Sequence, residues 1–230
     1  MSSRPELKLD WATHKAAKYA VEHWHYSGCL PAGKSVKVGV WENSKFIGVV
    51  VFGMGSGNAT NGLKYGLTKT HEVAELARIA LDKHKTPVSR IISIAVKLFT
   101  KQSPGIRLLI SFADTDQGHV GGIYQGGNWV YTGIAGKAGG WNYLINGKWV
   151  HKRTLGSRYG RRDTAFLDRL FPNAEKRQDT TKHRYLMPLD NKMAAIIEPL
   201  SKPYPKREKQ AMGVPASQRR GSTDLHAPII

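Results

Sequence analysis

"HEVAELARIALDKHKTPVSRIISIAVKLFTKQSPGIRLLISFAD", residues 71–114, is the stretch whose reading decides the fold. Its middle is a helix. Thr86 can cap it, Pro87 suits the first helical position, and Ile91, Ile92, Ala95, Leu98 and Phe99 form one apolar stripe. Pro104 and Gly105 end it, and Ile106, Leu108, Ile110 and Phe112 then alternate as a strand does. The leading piece, HEVAELARIALD, is built of helix formers. It also stands where a buried strand would complete a β–α–β unit over 73–114, the natural reading of the whole stretch.

The chain continues as "SFADTDQGHVGGIYQGGNWVYTG", residues 111–133. Asp114 and Asp116 stand at the carboxyl end of the second strand, where ligands bind in open α/β sheets. Two carboxylates there suit a general base with a positioning acid. Asp at a strand end also serves plain turn chemistry. Tyr124, in an expected short helix, can exchange a proton or pack. NWVYTG reads as a further strand.

Working outward, residues 11–25 read as a helix capped by Asp10, with Trp11, Ala17, Val21 and Trp24 on one face. His23, His25, Tyr26 and Ser27 gather at its end. They suit a proton relay, the start of a metal site, or aromatic packing. No third metal ligand is evident, so zinc or iron is not favoured. VKVGVW and FIGVVVFG flank ENSK as a hairpin, and residues 54–66 form a long glycine-rich loop. WNYLINGKWVHKRTL is a second hairpin, turned at Asn146-Gly147.

The charge is extreme. Thirty-five Lys and Arg face 17 Asp and Glu, a net charge of +18. Such a field draws polyanions, nucleic acid first. The candidate contacts are Lys34, Trp141, Lys148, Lys152, Arg153, Arg158, Tyr159, Arg161 and Arg162, cations for phosphates with aromatic faces for bases. One cysteine, Cys29, excludes an internal disulfide framework. The N-terminus is polar, and the longest apolar run is far shorter than the about 20 residues of a membrane span. The expectation is a soluble, cytosolic protein with no membrane partner. The expected domain runs over 1–198. Residues 199–230, rich in Pro and Lys, read as a basic, mobile tail.

The segments 111–133, ELARIALD, TPVSRIIS, HYSG and KWVHKRTLGSRYG resemble the Mom family of bacteriophages related to Mu. The resemblance spans roughly residues 20–165. It implies an α/β (α+β) fold similar to the GCN5-related acyltransferases, a mixed central sheet flanked by helices. It implies an enzyme of the phage-infected bacterial cytoplasm that converts adenine in double-stranded DNA to the N6-carbamoylmethyl form, protecting phage DNA from restriction. From their placement, the expected catalytic set is Asp114, Tyr124 and His25, with Ser111, Asp116 and Tyr26. Donor contacts fall to Arg78, Lys85, Ser89 and Arg90. The chain departs from acyltransferases of this fold at DKHKTPVSR, which lacks the glycine-rich turn that holds the coenzyme A pyrophosphate at a helix N-terminus.

The product itself constrains the donor. Acetyl transfer gives N6–CO–CH3. Glycyl transfer gives N6–CO–CH2–NH2, and attack of the free amine on ring carbon 6 then yields N6–CH2–CO–NH2. Glycyl-tRNA is therefore favoured over acetyl-coenzyme A as donor, making tRNA a second expected partner. A non-catalytic basic DNA-binding protein is the alternative.

Overall fold

The computed structural model describes residues 4–55, 60–67, 70–135, 140–161, 163–178 and 181–207. In chain order the elements are β1 (Leu7–Trp11), α1 (His14–Trp24), β2 (Ser35–Glu42), β3 (Lys45–Gly53), β4 (Val73–Leu81), α2 (Val88–Gln102), β5 (Leu108–Asp114), α3 (Gly122–Gln125) and β6 (Val130–Ala135). They continue with β7 (Trp141–Ile145), β8 (Lys148–His151), α4 (Lys152–Tyr159), α5 (Thr164–Leu170), β9 (Lys176–Gln178), β10 (Lys182–Pro188) and α6 (Asn191–Ile197). The fold class is the expected mixed α/β arrangement. A seven-stranded sheet in the order β1-β2-β3-β4-β5-β10-β6 is antiparallel except between β4 and β5.

The stretch 71–114 forms the β–α–β unit, and its first segment is a strand rather than a helix. Burial explains the choice. Residues of β4 pack on both faces of the sheet, Ala74 and Leu76 toward α2, Ala80 toward α1, and a helix of these residues could not pair β3 with β5. β5 is likewise buried on both faces, so its apolar run is continuous and not alternating: Leu108, Leu109 and Ile110 are all 0% exposed. Helix α2 covers one face with Ile91, Ile92, Ala95, Val96 and Phe99, and Phe99 stacks on Phe52 at 4.3 Å. Helices α1 and α6 cover the other face.

Several local expectations change. Thr86 does not cap α2. Pro87 stands at the cap position, and the Thr86 hydroxyl donates instead to Glu42 Oε1 at 2.6 Å. The first helix begins at His14, not Trp11. Its cap is Thr13, which accepts from the Ala16 amide, while Asp10 and Trp11 belong to edge strand β1. The second hairpin stops at His151; the following KRTLGSRY is helix α4. Both hairpin turns are two-residue turns with positive φ, at Asn43-Ser44 and Asn146-Gly147.

Residues 140–178 form a small module inserted between β6 and β10. Its sheet, in the order β8-β7-β9, is covered on one face by α4 and α5 around Tyr143, Leu155 and Leu167. Beyond α6 the chain lies against the main body. The Lys202 amide donates to the Tyr131 carbonyl at 2.8 Å, and the Tyr204 hydroxyl to the Trp129 carbonyl at 2.9 Å. The expected mobile tail falls outside the described residues from 208 onward. Among the described residues no helix is long and apolar enough to cross a membrane.

Candidate active site in the crevice between β4 and β5

The parallel ladder of β4 and β5 lasts three pairs, Val73↔Leu108, Ala74↔Leu109 and Glu75↔Ile110, and then the strands part. The next carbonyl, that of Leu76, would be left without a partner. Ser111 Oγ takes it, at 2.8 Å, and also lies 2.7 Å from the Tyr124 hydroxyl. A carbonyl only accepts, so the single Ser111 proton goes to Leu76 and the Tyr124 hydroxyl donates to Ser111. Both side chains are buried, and burial pushes the Tyr124 hydroxyl's pKa well up. Ser111 and Tyr124 thus hold the fork of the crevice open from behind.

A β-bulge sets the front. Val51 pairs with Arg78 and Phe52 with Leu76, so Ala77 is an extra residue. In a regular strand residues 75 and 78 point to opposite faces. The bulge puts Glu75 and Arg78 on the same face, the one that also carries Asp114 at the end of β5. Arg78 is fixed by donation to the Cys29 carbonyl at 3.2 Å and to the Ala77 carbonyl at 2.7 Å. Gly55 closes over Glu75: at φ +64° it has the left-handed backbone glycine tolerates, and a Cβ there would collide with the Glu75 carboxylate. Burial raises the Glu75 pKa, opposed by the charges of Arg78, Lys182 and Arg153. Glu75 forms no hydrogen bond among the described residues. It is a shielded carboxylate with an open lone pair, suited to accept a proton.

Asp114 differs. Its Oδ1 accepts from the Asp116 amide at 3.1 Å, and its Oδ2 accepts from the Tyr26 hydroxyl at 3.4 Å and lies 3.6 Å from Lys182 Nζ. Its charge is matched, so it orients groups around it. Asp116 stands at the rim, 3.9 Å from Arg177. Tyr26 is pushed up to about 12, first by burial and then by the Asp114 charge. His25 is pulled down to about 4, first by burial, then by the charges of Arg78 and His119. Its Nδ1 accepts the Ser27 amide at 3.1 Å, so the neutral ring carries its proton on Nε2.

His23 does not join this group; its Nδ1 contacts the Tyr19 carbonyl at 2.8 Å and its ring stacks on Tyr19. Among the described residues no three His, Cys, Asp or Glu side chains are grouped to hold a metal ion. The sequence reading missed Glu75, Lys182 and His119. Glu75 carried one signal, a carboxylate inside an apolar strand.

The expected donor contacts divide. Arg78 lies in the crevice. Lys85, Ser89 and Arg90 lie around the start of α2, and there the turn already holds an anion. Glu42 accepts from the amides of Lys85 and Thr86 at 3.0 and 2.8 Å, as well as from Thr86 Oγ1. The expected DNA contacts also divide. Lys34 is exposed before β2. Trp141 lies under Lys176 Nζ, 5.5 Å from the ring centroid. Lys152 is half-buried; Arg153, Arg158 and Tyr159 are exposed along α4. Arg161 pairs with Asp163 at 3.2 Å. Arg162 and the Lys148 side chain lie outside the described residues.

The chain is similar to several known proteins. A methylcarbamoylase, mom, of Escherichia phage Mu is 28% identical over 153 residues, which make up 65% of this chain and 62% of that protein. At that identity the two are distant relatives. A putative acetyltransferase of Acinetobacter baylyi superposes with a TM-score of 0.46 and 9% identity, over 83% of this chain and 96% of that one. A Bacillus subtilis acetyltransferase in complex with CoA gives a TM-score of 0.38 and 13% identity, over 81% of this chain and 100% of that one. The sequence pattern of one family runs over residues 6–206, from β1 through both strands of the crevice to the segment that follows α6, and by that match the chain belongs to the Mom protein family.

Proposed function

We propose that this chain is a transferase that builds a carbamoylmethyl group on N6 of adenine in double-stranded DNA, protecting phage DNA from host restriction enzymes. The observation that carries the reading is the convergence of Glu75, Asp114, Tyr26 and His25 where β4 and β5 part. The name of the phage Mu relative supports it, as does the net charge of +18.

Adenine N6 is a weak nucleophile because its lone pair is delocalised into the ring. It is also stacked inside the duplex, so the base must be extruded to reach a crevice. Asp114, held by Tyr26, Lys182 and the Asp116 amide, orients the exocyclic amine. Glu75 takes the proton as N6 attacks the carbonyl carbon of the donor. Arg78 and Lys182 steady the charge that develops. Neutral His25 donates from Nε2.

The donor is a glycyl ester, with glycyl-tRNA favoured. N6 bonds to the glycyl carbonyl carbon, the ester C–O bond breaks, and the ribose hydroxyl leaves with a proton. The free glycyl amine then attacks ring carbon 6 and the original C6–N6 bond breaks. The glycine nitrogen becomes the new N6, and the old N6 becomes the amide. The β4–α2 turn supports this donor over coenzyme A, since Glu42 occupies the Lys85 and Thr86 amides and Pro87 has none to offer a pyrophosphate.

The test is mass spectrometry of nucleosides from cells expressing the protein on glycine labelled at both carbons and nitrogen. The adduct should carry all three labels as a unit. Glu75→Gln and Asp114→Asn should fold and give no adduct. Carbons that follow acetate instead would remove the glycyl donor. Wild-type adduct levels in both variants would remove the crevice as the active site.

A further inference from the structure

The inserted module, residues 140–178, has a covered face and an open one. Val150 and Tyr143 point into the α4–α5 core. Strand alternation therefore turns Trp149 and Leu144 the other way, and neither belongs to that core. Trp149 is 38% exposed. Arg177, on β9, lies over its ring, 4.4 Å from the centroid. The same Arg177 reaches to 3.9 Å from Asp116, whose amide is bonded to Asp114. The module's open face thus adjoins the rim of the crevice at the Asp114 end of β5.

An exposed tryptophan backed on one face by a guanidinium has one face left to offer. In a basic protein that face suits a nucleobase, since every base has a π surface and base–aromatic stacking tolerates sequence. Between residues 140 and 178 nine Lys and Arg stand against three Asp and Glu, so the surroundings attract phosphates rather than an apolar partner.

We propose that Trp149 is the stacking platform for the extruded base, with Arg177 holding its ring flat and tying the module to the crevice rim through Asp116. The proposal rests on the reading of the chain as a DNA-adenine transferase. It assigns the module a second task besides gripping phosphates: it supplies the roof against which the base lies while its amine faces Glu75 and Asp114.

The test compares wild type, Trp149→Ala and Trp149→Phe by the modified-adenine fraction in cellular DNA. Duplex affinity and thermal unfolding of the purified proteins are measured alongside. Trp149→Ala should lose about tenfold or more of the modification, in line with the loss of one base–aromatic stack. Its duplex affinity should stay within about threefold of wild type, because phosphate contacts set that quantity. Trp149→Phe, which keeps an aromatic face, should retain most of the modification. Undiminished modification in Trp149→Ala would overturn the platform. So would an equal loss in both variants, or a loss that follows unfolding or duplex affinity. A wild-type protein that modifies no adenine would instead overturn the transferase reading on which the platform depends.

Discussion

His25 shows how one residue's setting changes its chemistry. In the unfolded chain it takes up a proton near its ordinary value of 6.5; in the native crevice it does so only near 4. Between those values the unfolded state binds more protons, so stability rises with pH there. The contribution is fully present above about 6.5 and shrinks as pH falls toward 4. A nuclear magnetic resonance titration of the His25 ring should accordingly find a midpoint near 4. A midpoint of 6 to 7 would mean that the ring is solvated and unavailable as a neutral donor. Glu75 makes the same point from the acid side, its pKa raised by burial; Asp114 differs from it in its partners. They sit on adjacent strands at one fork, yet one is shielded without a hydrogen-bond donor and the other is tied to three groups. In the proposed reaction the first suits a proton acceptor and the second an orienting group.

At the scale of elements, the turn between β4 and α2 is the most informative departure. Its amides are occupied by Glu42, a side chain 8% exposed and carried on β2. Hydrogen bonding from Thr86, then from the two amides, keeps this carboxylate below the usual range despite its burial. The contact locks β2 to the start of α2. Removing it leaves two amides and a hydroxyl unsatisfied, so Glu42→Ala should cost about 3 kcal/mol in denaturant unfolding, and Glu42→Gln less. A loss below about 0.5 kcal/mol for Glu42→Ala would show that water replaces the carboxylate freely.

At the scale of the whole molecule, the chain carries a net charge of +18, and the inserted module alone holds nine Lys and Arg against three Asp and Glu. Binding to duplex DNA should be steeply salt-dependent. For six phosphate contacts the affinity should fall roughly a thousandfold between 50 and 200 mM salt. Lys152→Glu with Arg158→Glu, on α4, should weaken binding and flatten that slope without unfolding the protein. A salt-independent affinity, or an unchanged slope in this variant, would take the module away from the phosphate backbone.

The sequence by itself determined what local patterning can carry. The stripe from Ile91 to Phe99, the two asparagine-bearing hairpin turns and the Asp114 strand end each depend on neighbours within a few residues, and each appears where the pattern put it. The charge balance likewise is additive and needs no fold. Tertiary structure alone decided the rest. ELARIAL has helix-forming residues, and it is a strand because both its faces are buried between β3 and β5. Glu75 and Arg78 share a face only because Ala77 bulges against β3, a register that the spacing of charges does not reveal. Thr86 had two possible partners, a helix terminus three residues on and a carboxylate 44 positions earlier, and packing brought the distant one within 2.6 Å. Trp149 meets the crevice through Arg177 and Asp116, residues separated from it in the chain by 28 and 33 positions. Such contacts arise only once the chain has closed on itself.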